Sequence, residues 1–270
     1  MLKMKMFTVF IYGLFFILMI ITIKKKNRYD MDELFSYGLS NTEINLPFKE
    51  GKYIISKELF YKKYLSVNKN SRFNYYKVWE NQSKDVHPPM YYVFLHSICS
   101  LFPEKFSKWY AGSINLFFSL LTLYTLRKLI INLTNNKEIC NIISFIYILS
   151  PGILSAISFF RMYIMAMFFT TFLTYTIIKE IDISKYQLNF YSKLYFISVF
   201  GGLIHYYCII FLIFLCFIFF IYLLIERKWE SIVKFIITEI LVGITVILIF
   251  PAMIKHIFYG YRGKQTLSNF

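Results

Sequence analysis

The chain reads as an all-α polytopic membrane protein, a helical bundle with a long outer first loop carrying juxtamembrane helices. Three observations lead there. Hydrophobic residues make up 57% of the chain and charged residues only 17%, a balance unlike that of soluble globular domains. The apolar residues fall into runs of the length that crosses a hydrocarbon core, roughly 17 to 25 residues each. Basic residues flank those runs on alternate connections: Arg127, Lys128 and Lys137, then Lys179 and Lys185, then Arg227, Lys228 and Lys234.

The first apolar run, residues 6–23, has Lys3 and Lys5 before it and Lys24, Lys25, Lys26 and Arg28 after it. It lacks a small-residue cleavage motif, so it reads as a retained span rather than a signal peptide. The stronger basic cluster behind it argues for the opposite orientation, and the short later loops outvote it. Residues 24–108 form the one sizeable polar stretch, with a surface helix expected over Lys49 to Lys63. A shorter apolar segment, Met90 to Phe102, suits a helix at the interface rather than a span.

Further spans are expected over 110–126, 139–159, 162–178, 194–204, 206–225 and 235–254, giving about seven in one integral domain. The run from Leu194 to Ile225 is split near Gly201-Gly202, because glycine permits a break. With the N-terminus in the cytoplasm, the first loop, Phe159 to Arg161, Gly201 to Tyr206 and the basic tail all lie outside.

The net charge of +15 excludes little alone. The lysines border apolar runs and fill the first loop, which suits a lipid bilayer surface or an anionic lipid-linked substrate and not nucleic acid. Four cysteines lie in or beside apolar runs without paired spacing and read as small buried hydrophobes. No cofactor motif is present. Asp85-x-His87 offers two metal ligands with no third at recognisable spacing, so no metal is assigned.

The topology gathers the scarce ionisable groups on one face. Arg161, between two apolar runs, reads either as a snorkelling turn residue or as a phosphate clamp, since guanidinium offers paired donors. Asp32 and Glu33 follow the first span closely and suit general-base work, or are solvated loop acids. His87-Pro88-Pro89 is a rigid lead-in to an apolar helix, and the tyrosines after it read as interface anchors or sugar-stacking rings. His205 reads as a hydrogen bond across a helix break or a substrate contact. His256 receives no role.

Asp32-Glu33-Leu34-Phe35-Ser36 after a first span, then Asp85-Val86-His87-Pro88-Pro89-Met90-Tyr91-Tyr92, resemble motifs of the GT-C glycosyltransferases. So do Ser150-Pro151 ahead of Ser158-Phe159-Phe160-Arg161-Met162-Tyr163, and His205-Tyr206-Tyr207. The resemblance covers residues 5 to 225 and is nearest the dolichyl-phosphate-mannose protein mannosyltransferase-like group and its bacterial relatives, whose members usually continue through several more spans. It implies transfer of a sugar, with inversion, from a polyprenyl-phosphate carrier to a glycan, lipid or protein acceptor outside a bacterial plasma membrane. It also implies catalytic roles for Asp32 and Glu33, and substrate contacts for Asp85, His87, Tyr91, Arg161, Tyr163 and His205. The alternatives are a transporter or flippase of lipid-linked saccharide and a truncated, non-catalytic membrane protein.

Overall fold

The structure is a computed structural model that describes residues 2–42, 56–181 and 186–259, with side chains from residue 6 onward. Every regular element among the described residues is helical. Helix α1 (Leu2–Lys25) is followed by α2 (Met31–Asn41), a short α3 (Lys57–Phe60) that continues as a π-helical turn (Tyr61–Leu65), α4 (Tyr75–Lys84) and α5 (Met90–Leu101). Next come α6 (Lys108–Thr134), α7 (Lys137–Leu149), α8 (Pro151–Ser158) and α9 (Tyr163–Lys179). The chain closes with α10 (Leu188–Gly202), α11 (Tyr206–Ile225), α12 (Trp229–Ile249) and a last turn, α13 (Ala252–Ile254). Of the surface helix expected over Lys49 to Lys63, residues 49–55 lie outside the described residues, as do Lys185 and residues 260–270 of the tail.

Among the described residues, four helices are long and apolar enough to cross a membrane: the stretch Met6–Lys25 of α1, and α6, α11 and α12. The bent pair α7 and α8 passes the same test of length and apolarity taken together, as a broken span or a re-entrant loop. The run expected as one span over 139–159 breaks at Ser150, because Pro151 has no N–H to donate back into α7; the two pieces meet at 52°. The segment expected over 110–126 falls in the first two-thirds of α6, which runs on until Asn135 takes the left-handed conformation at φ 49°. The last span lies earlier than 235–254: it starts at Trp229, after Arg227 at φ 54°, and stops before Pro251.

Only 22% of the membrane-crossing stretches of α1 and α11 is buried within the protein, against 44% for α6. The outer helices therefore present apolar side chains such as Val9, Ile17, Phe214 and Phe217 to the lipid, while α6 runs through the middle and packs along α9. Beside α6, the largest core joins α1, α2, α5, α8 and α9 through Phe15, Tyr37, Tyr91, Leu95, Phe118 and Phe160.

Polar groups inside this apolar frame are bonded where helices must be fixed. At one end, Arg127 of α6 donates to Thr8 of α1 (2.9 Å) and to Asn141 and Ser144 of α7 (3.0 and 2.9 Å). At the other end, Lys108 donates to the Lys24 and Lys26 carbonyls at 2.7 and 2.8 Å, satisfying oxygens that the end of α1 leaves open. Tyr37 of α2 donates to the Ser107 carbonyl and accepts from the Ala111 N–H, pinning α2 to the start of α6.

Helix α2 approaches the π-helical turn so closely that a Cβ at Gly38 would meet the Tyr64 ring. Tyr64 is itself buried and cannot retreat into solvent. Gly38→Ala is therefore expected to destabilise the protein by about 1–3 kcal/mol through overpacking, read as a lower thermal unfolding midpoint in detergent; an unchanged midpoint would refute the contact.

Candidate functional site

The site forms where the ends of α1, α8 and α10 meet the starts of α2, α5, α6, α9 and α11. Asp30 caps α2, its carboxylate accepting the Asp32 N–H at 2.9 Å. Glu33 completes the capping box by accepting the Asp30 N–H at 2.7 Å. The other oxygen of Glu33 accepts the Phe160 N–H at 2.7 Å and meets the Lys26 ammonium at 2.9 Å. A carboxylate with no exposed surface thus has both oxygens occupied by donors from three chain segments, which is how a buried charge is tolerated.

That contact fixes the turn between α8 and α9, which carries Arg161. Asn115, buried on α6, donates to the carbonyls of Ile157 and Phe159 at 2.9 and 3.0 Å and holds the same turn from the other side. Arg161 is only 4% exposed. Its Nη1 meets the Asp32 carboxylate at 2.7 Å and its Nη2 donates to His87 Nε2 at 3.1 Å, while its Nε has no partner. His87 Nδ1 faces Asp85 at 3.0 Å. The two contacts assign the tautomer: Nδ1–H donates to Asp85, leaving Nε2 to accept from the guanidinium.

Asp85 ends α4, and its burial acts to raise the carboxyl pKa. The hydrogen bonds from His87 and the Val86 N–H, with the charge of Arg161, together outweigh that, so the net shift is downward and Asp85 remains an anion. Pro88 and Pro89 offer no N–H. The first available donor, Met90, bonds the Leu203 carbonyl at 3.0 Å and docks α5 on the break between α10 and α11. His205 caps α11 from that break, accepting the Tyr207 N–H at 3.0 Å, and its ring lies 5.7 Å from His87 and 5.6 Å from Tyr163. Tyr163 in turn stacks on Phe159.

The structure therefore brings Asp32, Asp85, His87, Arg161, Tyr163 and His205 to one place. It separates the two adjacent acids: Asp32 has a half-exposed side chain, whereas Glu33 is sealed and serves as a structural anchor. Tyr91, expected at a sugar, is fully enclosed in the core, packed edge-on against Tyr92 with its hydroxyl unpaired. Tyr91 and Tyr92 both lie on the face of α5 that packs into the core. The Asp85-x-His87 pair that suggested metal ligands closes on itself and on Arg161.

Sequence reasoning missed Lys26, hidden in a run of lysines, and Asn115, a single amide in an apolar helix. It also passed over the capping box, although Asp30-x-x-Glu33 is its usual signature. Chemically, the arrangement is a buried guanidinium braced by a histidine–carboxylate pair, with one further carboxylate that has room to leave.

Two outcomes follow. Glu33→Gln leaves Lys26 without its counter-ion and is expected to cost about 3–5 kcal/mol, the usual penalty for breaking a buried pair; a denaturation midpoint equal to wild type would contradict it. Because the folded pKa of Asp85 is depressed, its stabilising contribution is present above the unfolded value of about 3.9 and is lost as pH falls through the lower folded value. Wild type and Asp85→Asn should thus differ in thermal midpoint at neutral pH and converge on acidification; parallel curves would disprove the assignment. No family model, curated protein or solved structure matches the chain.

Proposed function

We propose that the protein is a membrane glycosyltransferase that moves a sugar from a polyprenyl-phosphate carrier to a glycan, lipid or protein acceptor at the outer face of a bacterial plasma membrane. The observation that carries this reading is Arg161, a buried cation in the turn between α8 and α9 whose carboxylate partner among the described residues, Asp32, is half exposed. A carrier phosphate presents the same paired oxygens as Asp32 and carries more charge, so it competes for Nη1 and the open Nε. His87 and Asp85 hold the guanidinium in place while that exchange occurs.

The exchange sets up the chemistry. Asp32, displaced from Arg161, accepts the proton of the acceptor hydroxyl as its oxygen attacks the anomeric carbon. The bond from that carbon to the phosphate oxygen breaks, and the leaving carrier phosphate keeps the electron pair against Arg161. A single displacement inverts the anomeric centre, and no second carboxylic acid is required because phosphate leaves without protonation. Tyr163 and His205 border the position where the sugar ring would lie. Helix α5, with 12 residues, spans only about 18 Å and suits a helix lying at the interface, where a long-chain carrier presents its head group.

The test is transfer of a labelled sugar from a short-chain polyprenyl phosphate by purified protein in nanodiscs. Asp32→Asn is expected to lower the rate by about 10²-fold or more with binding of the carrier retained. Arg161→Ala should lose the binding itself. Full activity in Asp32→Asn would remove the base from the mechanism. Movement of labelled carrier lipid across liposomes without cleavage would favour a transporter of lipid-linked saccharide instead.

A further inference from the structure

The turns that follow α12 come back to the Arg161 site. Phe250 closes that helix fully buried, and Pro251, which has no N–H to offer, leads into α13. From there the chain continues as a π-helical turn over Lys255–Tyr259, which carries His256 in between α4 and α11. Phe250 orients the imidazole, packing edge-on against His256 at 5.6 Å and against Trp79 of α4 at 5.6 Å.

Both ring nitrogens of His256 are used. Nε2 lies 3.2 Å from the Ser83 carbonyl, and Nδ1 lies 2.7 Å from the Tyr206 hydroxyl. A carbonyl only accepts, so Nε2 carries the hydrogen, and in the neutral ring Nδ1 then accepts from Tyr206. Burial lowers the pKa of this imidazole, the Ser83 carbonyl and the Asp85 carboxylate opposing it only in part, so the ring is uncharged at neutral pH.

Its two partners stand beside the site. Ser83 is in the last turn of α4, where a carbonyl has no donor from its own helix, and Asp85 and His87 follow within four residues. Tyr206 opens α11 directly after His205. At the far end of the same connection, the Met90 N–H donates to the Leu203 carbonyl at 3.0 Å. The stretch from Ser83 to Met90, which holds Asp85 and His87, is thus tied at both ends to the break between α10 and α11. At Met90 the tie is direct; at Ser83 it runs through the imidazole.

From this double attachment we infer that His256 is a positioning residue for the Arg161 site, a clasp that holds the Asp85–His87 pair in place against the guanidinium. The geometry of the clasp stands by itself; only its expected effect on transfer rests on the glycosyltransferase reading proposed above.

The full chain in nanodiscs, isotopically labelled at the histidine nitrogens and read by nuclear magnetic resonance, tests it. Tyr206→Phe removes only the bridging hydroxyl, and His256→Ala removes the whole clasp. In wild type, His87 should show one tautomer with its hydrogen on Nδ1, and His256 the opposite one. In both variants the His87 signals should move or divide between tautomers, while those of His96, on α5 outside the clasp, stay where they are. His87 signals unchanged in either variant would overturn the inference, and so would a change that reaches His96 to the same extent, since that marks a loosened fold. In the transfer assay Tyr206→Phe should lower kcat by about tenfold or more through misplacement, with KM for the carrier unchanged because Arg161 is untouched; a wild-type kcat would equally overturn it. A wild-type protein that transfers no sugar would remove the transferase reading and leave the nitrogen signals to decide this one.

Discussion

A carboxylate with no contact with water sits where three parts of the chain converge, and it is stable only because every lone pair that faces protein meets a donor. Glu33 takes the start of its own helix, the end of the first span through Lys26, and the Phe160 N–H of the α8–α9 turn. An unpaired charge in such a place would cost several kcal/mol. The arrangement is therefore close to all-or-none, and the position of Arg161, one residue beyond Phe160, is inherited from it. Asn115 reinforces the same turn from the centre of the bundle.

Around that anchor the neighbouring acids divide their work by exposure. Glu33 is spent on structure, and Asp32, one residue away on α2, points to the opening and shares the guanidinium with His87. In the proposed exchange, an incoming phosphate would replace the Asp32 contact instead of meeting an empty buried site, while His87 stays in place. The Asp85–His87 hydrogen bond keeps the fixed side fixed. Chemistry of this kind needs a firm scaffold and a loose ligand, and the two acids supply one of each.

Asp32 lies on a short helix and Asp85 at the end of another, while the apolar helices α1, α11 and α12, long enough to cross a membrane, turn apolar side chains outward. The polar elements α2 to α5 thus rest against a bundle whose ends hold most of its ionisable groups, Glu239 in the middle of α12 being an exception.

The sequence by itself determined the all-helical membrane class, since alternation of long apolar runs with basic connections allows few other solutions in lipid. It also contained the local signals: Pro151 for a broken helix, Pro88-Pro89 for the start of α5, and Asp30-x-x-Glu33 for a capped α2. What it did not contain was which acid of an adjacent pair turns inward, or that Lys26 out of a run of lysines reaches Glu33. Tyr91 shows the same limit, for it opens an apolar helix expected at the interface and its side chain is buried in the core. Facing depends on the docking angle of a short helix against distant ones. That angle is set by contacts such as Tyr37 with Ser107 and Met90 with Leu203, between residues far apart in the chain, and only the tertiary structure decided it.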